Sequence, residues 1–94
     1  MAATEILATG TTVATSSVIT LASGEGTNVS VFAASGVGIP YSAVFEVKIL
    51  NSNATHTLFK RLTGGEFTTH INGPGAFYVD RLATGGISLG VDRN

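Results

Sequence analysis

Alternation of apolar and polar residues with a period of two constrains this chain more than any other feature of its sequence. The clearest case is the segment 42–50, where Phe45, Val47 and Ile49 fall on one face and charged residues fall on the other. No window keeps the roughly 3.6-residue period of a helix, because glycine or a cluster of β-branched residues interrupts each one. The pattern therefore predicts an all-β chain.

Glycine-rich turns divide the alternating pattern into short segments at a spacing of roughly 8–12 residues, which is typical of a β-sandwich or small barrel. We predict a small β-sandwich, jelly-roll-like, with seven or eight short antiparallel strands. The segments 42–50 and 56–62 are separated by a short turn and are predicted to pair as a hairpin, and the same reasoning pairs 76–82 with 87–91. The predicted core consists of Ile19, Leu21, Val29, Val31, Phe45, Val47, Ile49, Leu58, Phe77, Val79, Ile87 and Leu89.

The stretch 9–20 is small, uncharged and prone to form strands, and it permits two arrangements. It can lie as an edge strand on its own sheet, or it can extend as an arm onto another subunit. We therefore divide the chain into an N-terminal arm or edge strand, 1–16, and a β-sandwich domain, 17–94. A chain of 94 residues leaves no room for a second core.

Charge is scarce in this chain. Charged residues make up 12% of the sequence, against roughly 25% in an ordinary soluble domain. A small domain has a high surface-to-volume ratio, so part of this weakly charged surface is expected to be covered in the working state. Because no cysteine is present to form a disulfide, assembly is the remaining way to stabilise so small a core, and we expect a homo-oligomer.

The composition also argues against several classes of partner. A formal net charge of −1 with dispersed basic residues gives no electrostatic attraction to nucleic acid. The longest uncharged run, 26–45, is interrupted by Asn28, Pro40, glycines and serines, so it does not read as a membrane-spanning segment. The N-terminus lacks the basic start and apolar core of a signal peptide, which predicts synthesis in the cytoplasm of the producing cell.

Residues suited to catalysis or metal binding are sparse and poorly spaced. His56 and His70 lie far apart in sequence, with no acidic or sulfur ligand at metal-binding spacing. Glu46 and Glu66 are a carboxylate pair in principle, but Glu46 is expected to form an ion pair with a basic residue of the neighbouring strand. No Gly-x-Ser-x-Gly motif occurs. We therefore predict a protein that is not an enzyme and has no cofactor, no metal and no small-molecule substrate.

Three aromatic residues, Phe32, Phe59 and Tyr78, fall on the strand faces opposite the predicted core. Exposed aromatic side chains on small domains often mark interfaces, and packing against a second sheet explains them equally well. Together with part of the uncharged N-terminal segment, they give the candidate interface residues Thr11, Thr12, Val13, Phe32, Phe59 and Tyr78.

Two stretches resemble small β-sandwich virion proteins of tailed bacteriophages. The run 19–31 reads as strand, Gly24-Glu25-Gly26 turn and strand, and the run 71–79 places Gly73-Pro74-Gly75 before an aromatic strand that ends at Val79. The resemblance implies a capsid decoration, or cement, protein that binds and stabilises a phage head as a homo-oligomer, or else a small tail or neck component. The implied partners are further copies of the chain and the major capsid protein, and the implied location is the capsid surface of the virion.

A receptor- or glycan-binding β-sandwich module is the alternative to this structural role. A shallow patch of Asn, Asp and aromatic side chains would favour the alternative, whereas the absence of Trp counts against it. Binding to a glycan array distinguishes the two functions.

Overall fold

Nine β-strands form two antiparallel sheets in the computed structural model, which describes residues 3–94. The strands are β1 (Thr4–Gly10), β2 (Ala14–Thr15), β3 (Ile19–Leu21), β4 (Gly26–Ala33), β5 (Val44–Leu50), β6 (His56–Thr63), β7 (Thr68–Asn72), β8 (Gly75–Ala83) and β9 (Leu89–Arg93). Sheet A has the order β1-β9-β4-β7, and sheet B has the order β2-β8-β5-β6, with β3 also paired to β8. Residues 3–94 contain no helix long and apolar enough to cross a membrane. The predicted all-β sandwich is confirmed.

The strands are connected as a jelly roll. β2 and β3 pair with successive parts of β8 along the same edge of sheet B, so together they act as one interrupted edge strand. If β2 and β3 are counted as one strand, eight strands form four pairs that are nested about the turn 51–55. The pairs are β1 with β9, β2 and β3 with β8, β4 with β7, and β5 with β6. This nesting of two Greek keys is the jelly-roll connectivity, as the sequence predicted.

The core lies between the sheets and is built from side chains that alternate along each strand. Phe45 and Val47 of β5 and Val79 of β8 are fully buried, and they belong to one cluster with Val29 and Val91 of sheet A. Burial of apolar surface stabilises the fold by roughly 25 cal/mol per Å². The buried hydrophobic residues are Leu7, Ile19, Leu21, Val29, Val31, Ala43, Phe45, Val47, Leu62, Ile71, Phe77, Val79, Leu89 and Val91.

The prediction that Leu58 belongs to the core is wrong. Its side chain is 47% exposed because the pairing of β5 with β6 contains a bulge: Val47 pairs with Lys60, whereas the next residue, Lys48, pairs with Leu58. The extra residue, Phe59, reverses the alternation of β6 beyond it, so Leu58 faces outward. The remaining predictions are confirmed, except that Ile49 and Ile87 are only partly buried and pack against the edge of the core.

The predicted pairing of the last two strands is also wrong. β8 lies in sheet B between β5 and β3, whereas β9 lies in sheet A between β1 and β4. The connection 84–88 crosses from one sheet to the other, and its two glycines, Gly85 and Gly86, both have positive φ. A short glycine-rich connection fits this crossing as well as it fits a hairpin, so sequence spacing alone does not distinguish them. The predicted pairing of 42–50 with 56–62 is confirmed by β5 and β6.

Two edge strands come from the N-terminal part of the described chain, β1 on sheet A and β2 on sheet B. The Ser17 N–H donates a 3.0 Å hydrogen bond to the Ile6 carbonyl, which joins the edge of sheet B to the edge of sheet A. In the gap between β2 and β3, Ser16 Oγ accepts a 2.8 Å hydrogen bond from the Val79 N–H. Leu7 and Ser16 are buried. Residues 3–16 thus supply an edge strand to each sheet. Residues 1 and 2 of the predicted segment 1–16 lie outside the described residues, and the division of the chain at residue 16 stays a prediction.

Candidate interaction surface

Four loops meet at one end of the sandwich, and each of them connects one sheet to the other. Pairing places the end of β1, the start of β9 and the end of β4 side by side, because Gly10 and Ala33 both pair with Leu89. In sheet B, Val44 at the start of β5 likewise pairs with Thr63 and with the end of β8. We call this end the loop-end surface, defined by residues 11–13, 34–43, 64–67 and 84–88.

The loops of this surface are in contact with one another. The Ala34 N–H donates a 3.0 Å hydrogen bond to the Ser88 carbonyl, which joins the loops 34–43 and 84–88. The ring of Tyr41 lies over the turn at Gly64 and Gly65, since a Cβ added to either glycine would come within 3.7 and 3.6 Å of the ring, respectively. The loops 34–43, 64–67 and 84–88 are therefore joined directly. The strand order places the loop 11–13 beside 84–88, because β1 neighbours β9 and β2 neighbours β8.

The loop-end surface is almost free of charge and exposes large apolar side chains. Val13 is 72% exposed, Val37 51% and Tyr41 77%. The ranges 11–13, 34–43, 64–67 and 84–88 contain one charged residue, Glu66, and its carboxylate lies 3.2 Å from Lys60 Nζ. Folding thus collects much of the charge-poor sequence at one end of the molecule. Exposed apolar patches of this kind mark sites of interaction with other proteins.

A buried cation lies beneath this surface. Arg81, which is only 4% exposed, projects from β8 toward the first loop. Its Nε donates a 2.6 Å hydrogen bond to the Thr12 carbonyl, and its Nη1 donates 2.8 Å bonds to the carbonyls of Ala8 and Leu89. Gly10 allows this approach, because a Cβ there would lie 2.8 Å from Nη2. The guanidinium fixes the loop 11–13 to the body of the sandwich.

The structure brings together three of the six candidate interface residues. Thr11, Thr12 and Val13 are exposed on the loop-end surface. Phe32 lies on the outer face of sheet A, where its ring covers Gly90 of the neighbouring strand.

The other two candidates lie away from this surface. Phe59, at the bulge of β6, packs edge-on against the core residue Phe77, with ring centroids 6.0 Å apart. Tyr78 lies on the outer face of sheet B, edge-on to His56 at 6.0 Å. Sequence analysis missed Val37 and Tyr41. The available signal was that both fall in a loop without charge, inside the longest uncharged run.

An ion-pair network crosses the outer face of sheet B. Lys48 Nζ lies 2.7 Å from Asp80 Oδ2 and 3.7 Å from Glu46 Oε1. Arg61 donates two hydrogen bonds to Glu46 Oε2, at 2.7 and 3.1 Å, and Thr15 Oγ1 donates a 2.7 Å bond to Asp80. The hydrogen bond and charge of Asp80 raise the pKa of Lys48 above its ordinary value of 10.5, although partial burial opposes this rise. Two acidic and two basic groups neutralise each other within this face.

Beside the network lies an apolar patch on the same face. Lys48 pairs with Leu58 on one side and Tyr78 on the other, and the next outward residue of β5 is Leu50. Leu58 and Leu50 are 47% and 40% exposed. We call Leu50, Leu58, Ala76 and Tyr78 the sheet B patch.

The candidate chemical groups of the sequence lie apart from one another. His56 is on the outer face of sheet B, whereas His70 is on the outer face of sheet A. Glu46 pairs with Arg61, and Glu66 pairs with Lys60. Within residues 3–94, no group of three or more His, Cys, Asp or Glu side chains is placed to hold a metal ion.

Comparisons of this chain with protein-family models, with curated proteins and with solved structures find no match. The jelly-roll connectivity and the loop-end surface are therefore the features from which a function is inferred.

Proposed function

We propose that this chain is a structural virion protein of the capsid-decoration type, which binds and stabilises a phage head as a homo-oligomer. It acts through surfaces and catalyses no reaction. The loop-end surface docks on the major capsid protein, and the sheet B patch contacts a second copy of the chain. The protein is made in the host cytoplasm and acts on the outside of the head.

The observation that carries the proposal is the loop-end surface. Val13 and Tyr41 are each more than 70% exposed, on loops whose one charge is already paired with Lys60. Exposure of these apolar side chains to water is unfavourable, and burying them against another apolar surface lowers the free energy. Burial of these loops leaves no charge without a partner, so docking avoids the desolvation penalty of an unpaired ion.

The fold and the sequence resemblance support a virion role. Jelly rolls are used by viral capsid proteins and by lectins, among other proteins. The two stretches that resemble phage virion proteins, 19–31 and 71–79, correspond to β3 with β4 and to β7 with β8. The fold alone does not specify the function, so the weight of the proposal rests on the exposed surface.

Self-association is supported by the sheet B patch and the network beside it. Leu50 and Leu58 supply exposed apolar area, and the neighbouring charges of Glu46 and Lys48 are already satisfied within their own face. A second copy that covers this face would therefore leave no ion unpaired. Stable interfaces bury more than about 1,000 Å² in total over both partners, so each copy has to contribute about 500 Å², roughly a tenth of its 5006 Å² surface.

The proposed mechanism is avidity. One loop-end surface is small, so a single contact with the shell is weak. Several copies held in one oligomer engage several capsid subunits at once, and each later contact is intramolecular. Avidity raises the overall affinity by roughly 10²- to 10⁴-fold over one contact without any new interaction. An oligomer bound in this way links neighbouring capsid subunits and resists their separation.

Co-sedimentation with tailed-phage heads that lack decoration protein tests this assignment. We expect the full chain to pellet with the heads and Val13→Asp and Tyr41→Asp to lose binding, because each variant places a charge in the docked surface. Val18→Asp is the matched control, since Val18 is 54% exposed but lies outside the loop-end surface. Equal binding by Val13→Asp and Val18→Asp would show that the loop-end surface is not the docking site.

A further inference from the structure

A shallow concavity of about 350 Å³ lies on the outer face of sheet A, opposite the face that packs on the core. Backbone hydrogen bonds of 3.0 Å in both directions pair Asn94 with Asn28. Asn28 pairs in turn with His70 of β7, so these three side chains form one row across the sheet. The residues that line the concavity are Asn28, Ser30, Thr68, Thr69, His70 and Asn94.

Side-chain hydrogen bonds hold the histidine of this concavity in place. His70 Nδ1 lies 2.8 Å from Asn28 Oδ1, and Nε2 lies 3.0 Å from Asn72 Oδ1. Gly26 makes room for this arrangement, since a Cβ there would lie 2.8 Å from Nε2 and 3.0 Å from Asn72 Oδ1. A neutral imidazole carries one N–H, so it donates to the amide oxygen of one asparagine and accepts from the NH₂ group of the other. One amide NH₂ group and one amide oxygen are thereby left for another group. The site is preorganised, which lowers the entropic cost of binding.

The lining determines what the concavity can bind. Its side chains carry hydroxyl, amide and imidazole groups, and it offers no large apolar surface. A ligand here must therefore make hydrogen bonds through many small polar groups of its own. The next row of the same face pairs Ser30 with Asp92, and Asp92 with Glu5. These two carboxylates beside the concavity disfavour an anionic ligand.

We propose that this concavity is a binding site for a neutral saccharide. The volume is within the range of roughly 300–1,000 Å³ that small-molecule sites occupy. Sugar hydroxyl groups both donate and accept hydrogen bonds, as the lining requires. In this site Asn28, His70 and the hydroxyls of Ser30 and Thr68 contact the sugar, whereas Gly26 is a positioning residue.

The saccharide proposal does not depend on the proposed virion function. The site lies on the outer face of β4 and β7, between the pair of Asn28 with His70 and the pair of Ser30 with Thr68. Thr68 directly follows the loop 64–67, so the site borders the loop-end surface at this corner. Its other lining residues lie on the strands and at Asn94, on the face of sheet A that points away from the core.

Titration of the ¹⁵N-labelled full chain with oligosaccharides tests the proposal. The probes are neutral oligosaccharides ending in glucose, galactose, mannose or N-acetylglucosamine, with sialylated oligosaccharides as the acidic comparison. We expect a neutral probe, at up to about 10 mM, to shift the amide resonances of residues 28, 30, 68–70 and 94, which detects a Kd as weak as roughly 1 mM. The variants His70→Ala and Asn28→Ala should weaken binding about tenfold, the loss expected from a hydrogen bond worth about 1.4 kcal/mol.

Two further variants separate a direct site effect from a general loss of structure. Gly26→Ala displaces His70 without removing any polar group, so it should also weaken binding by several fold while the amide spectrum stays folded. His56→Ala removes the histidine on the opposite sheet and should bind as the parent does. Absence of binding by every neutral probe, binding of sialylated probes alone, or equal binding by His70→Ala and His56→Ala would each overturn the proposal.

Discussion

Arg81 Nε donates a 2.6 Å hydrogen bond to the carbonyl of Thr12, and this contact ties the first loop of the chain to the interior of the sandwich. The same guanidinium also binds the carbonyls of Ala8 and Leu89, so one side chain holds β1, the loop after it and β9 together. Arg81 is almost completely buried, and these three partners are backbone groups. Its replacement would leave them without their hydrogen bonds.

We expect Arg81→Met to lower the free energy of unfolding by about 3 kcal/mol, because it removes three hydrogen bonds from a charged group, of which the bond to Leu89 is buried and the other two are partly buried. Hydrogen bonds to charged groups contribute roughly 1.5–3 kcal/mol each. Urea denaturation followed by circular dichroism measures the loss. Arg61→Met is the matched control: Arg61 is 56% exposed and paired with Glu46 at the surface, so its loss should be below about 1 kcal/mol. Similar losses for the two variants would show that the hydrogen bonds of Arg81 do not stabilise the fold more than a surface ion pair does.

Phe45 is the largest of the fully buried side chains, and its loss should be severe. We expect Phe45→Ala to destabilise the protein by about 3–5 kcal/mol, the usual result of emptying a large buried site. Phe59→Ala removes the same atoms from a ring that is 43% exposed, so it should cost less than half as much. Thermal melts of both variants check the order, and a smaller loss for Phe45→Ala would contradict the assigned register of β5.

Gly73 packs closely against the backbone of Leu21 and Ala22 of the same chain, which leaves no room for a side chain. A Cβ at this position would overlap the carbonyl oxygen of Ala22 and lie 2.8 Å from Leu21 Cβ. We expect Gly73→Ala to cost about 1–3 kcal/mol through overpacking. Gly38→Ala should change stability by less than about 0.5 kcal/mol, since no atom lies within 4 Å of the added Cβ. Chemical denaturation of the pair tests the contrast, and equal tolerance would rule out the close contact.

The ion pair of Lys48 with Asp80 should make stability depend on pH in alkaline solution. Asp80 raises the pKa of Lys48 above its ordinary value of 10.5, so the folded state holds this proton more tightly than the unfolded state does. The resulting stabilisation is fully present below about pH 10 and is lost as the pH rises through the folded-state pKa. We therefore expect the parent to lose more stability than Lys48→Met between neutral and strongly alkaline pH in urea titrations. Parallel curves would show that the ion pair does not stabilise the fold.

Much of the fold follows from residue patterns that act locally. The alternation that places Phe77 and Val79 in the core extends two residues further to Arg81, so the inward position of this charge was available from the sequence. The bulge at Phe59 was not, because it depends on how β6 pairs with β5 across space. The sheet change between β8 and β9 was missed for the same reason: local turn chemistry does not specify which sheet the next strand joins.

The candidate surface was predictable only in part. The N-terminal residues Thr11, Thr12 and Val13 were recognised from their lack of charge, and the structure places them at the loop end. Their neighbours in space, Val37 and Tyr41, are distant in sequence, and only the nested pairing of the jelly roll brings their loops together. The exposed aromatic residues were predicted as one group, but Phe32 and Tyr78 lie on opposite sheets.

Sedimentation velocity of the full-length chain at micromolar concentration, alone and mixed with undecorated phage heads, tests the central proposal most directly. A shell-binding homo-oligomer predicts a free species of several times 9.6 kDa, together with co-migration of the chain with the heads. It also predicts that Leu58→Asp, in the sheet B patch, reduces the oligomer to a monomer and weakens head binding. A 9.6 kDa species that migrates separately from every head would contradict the account.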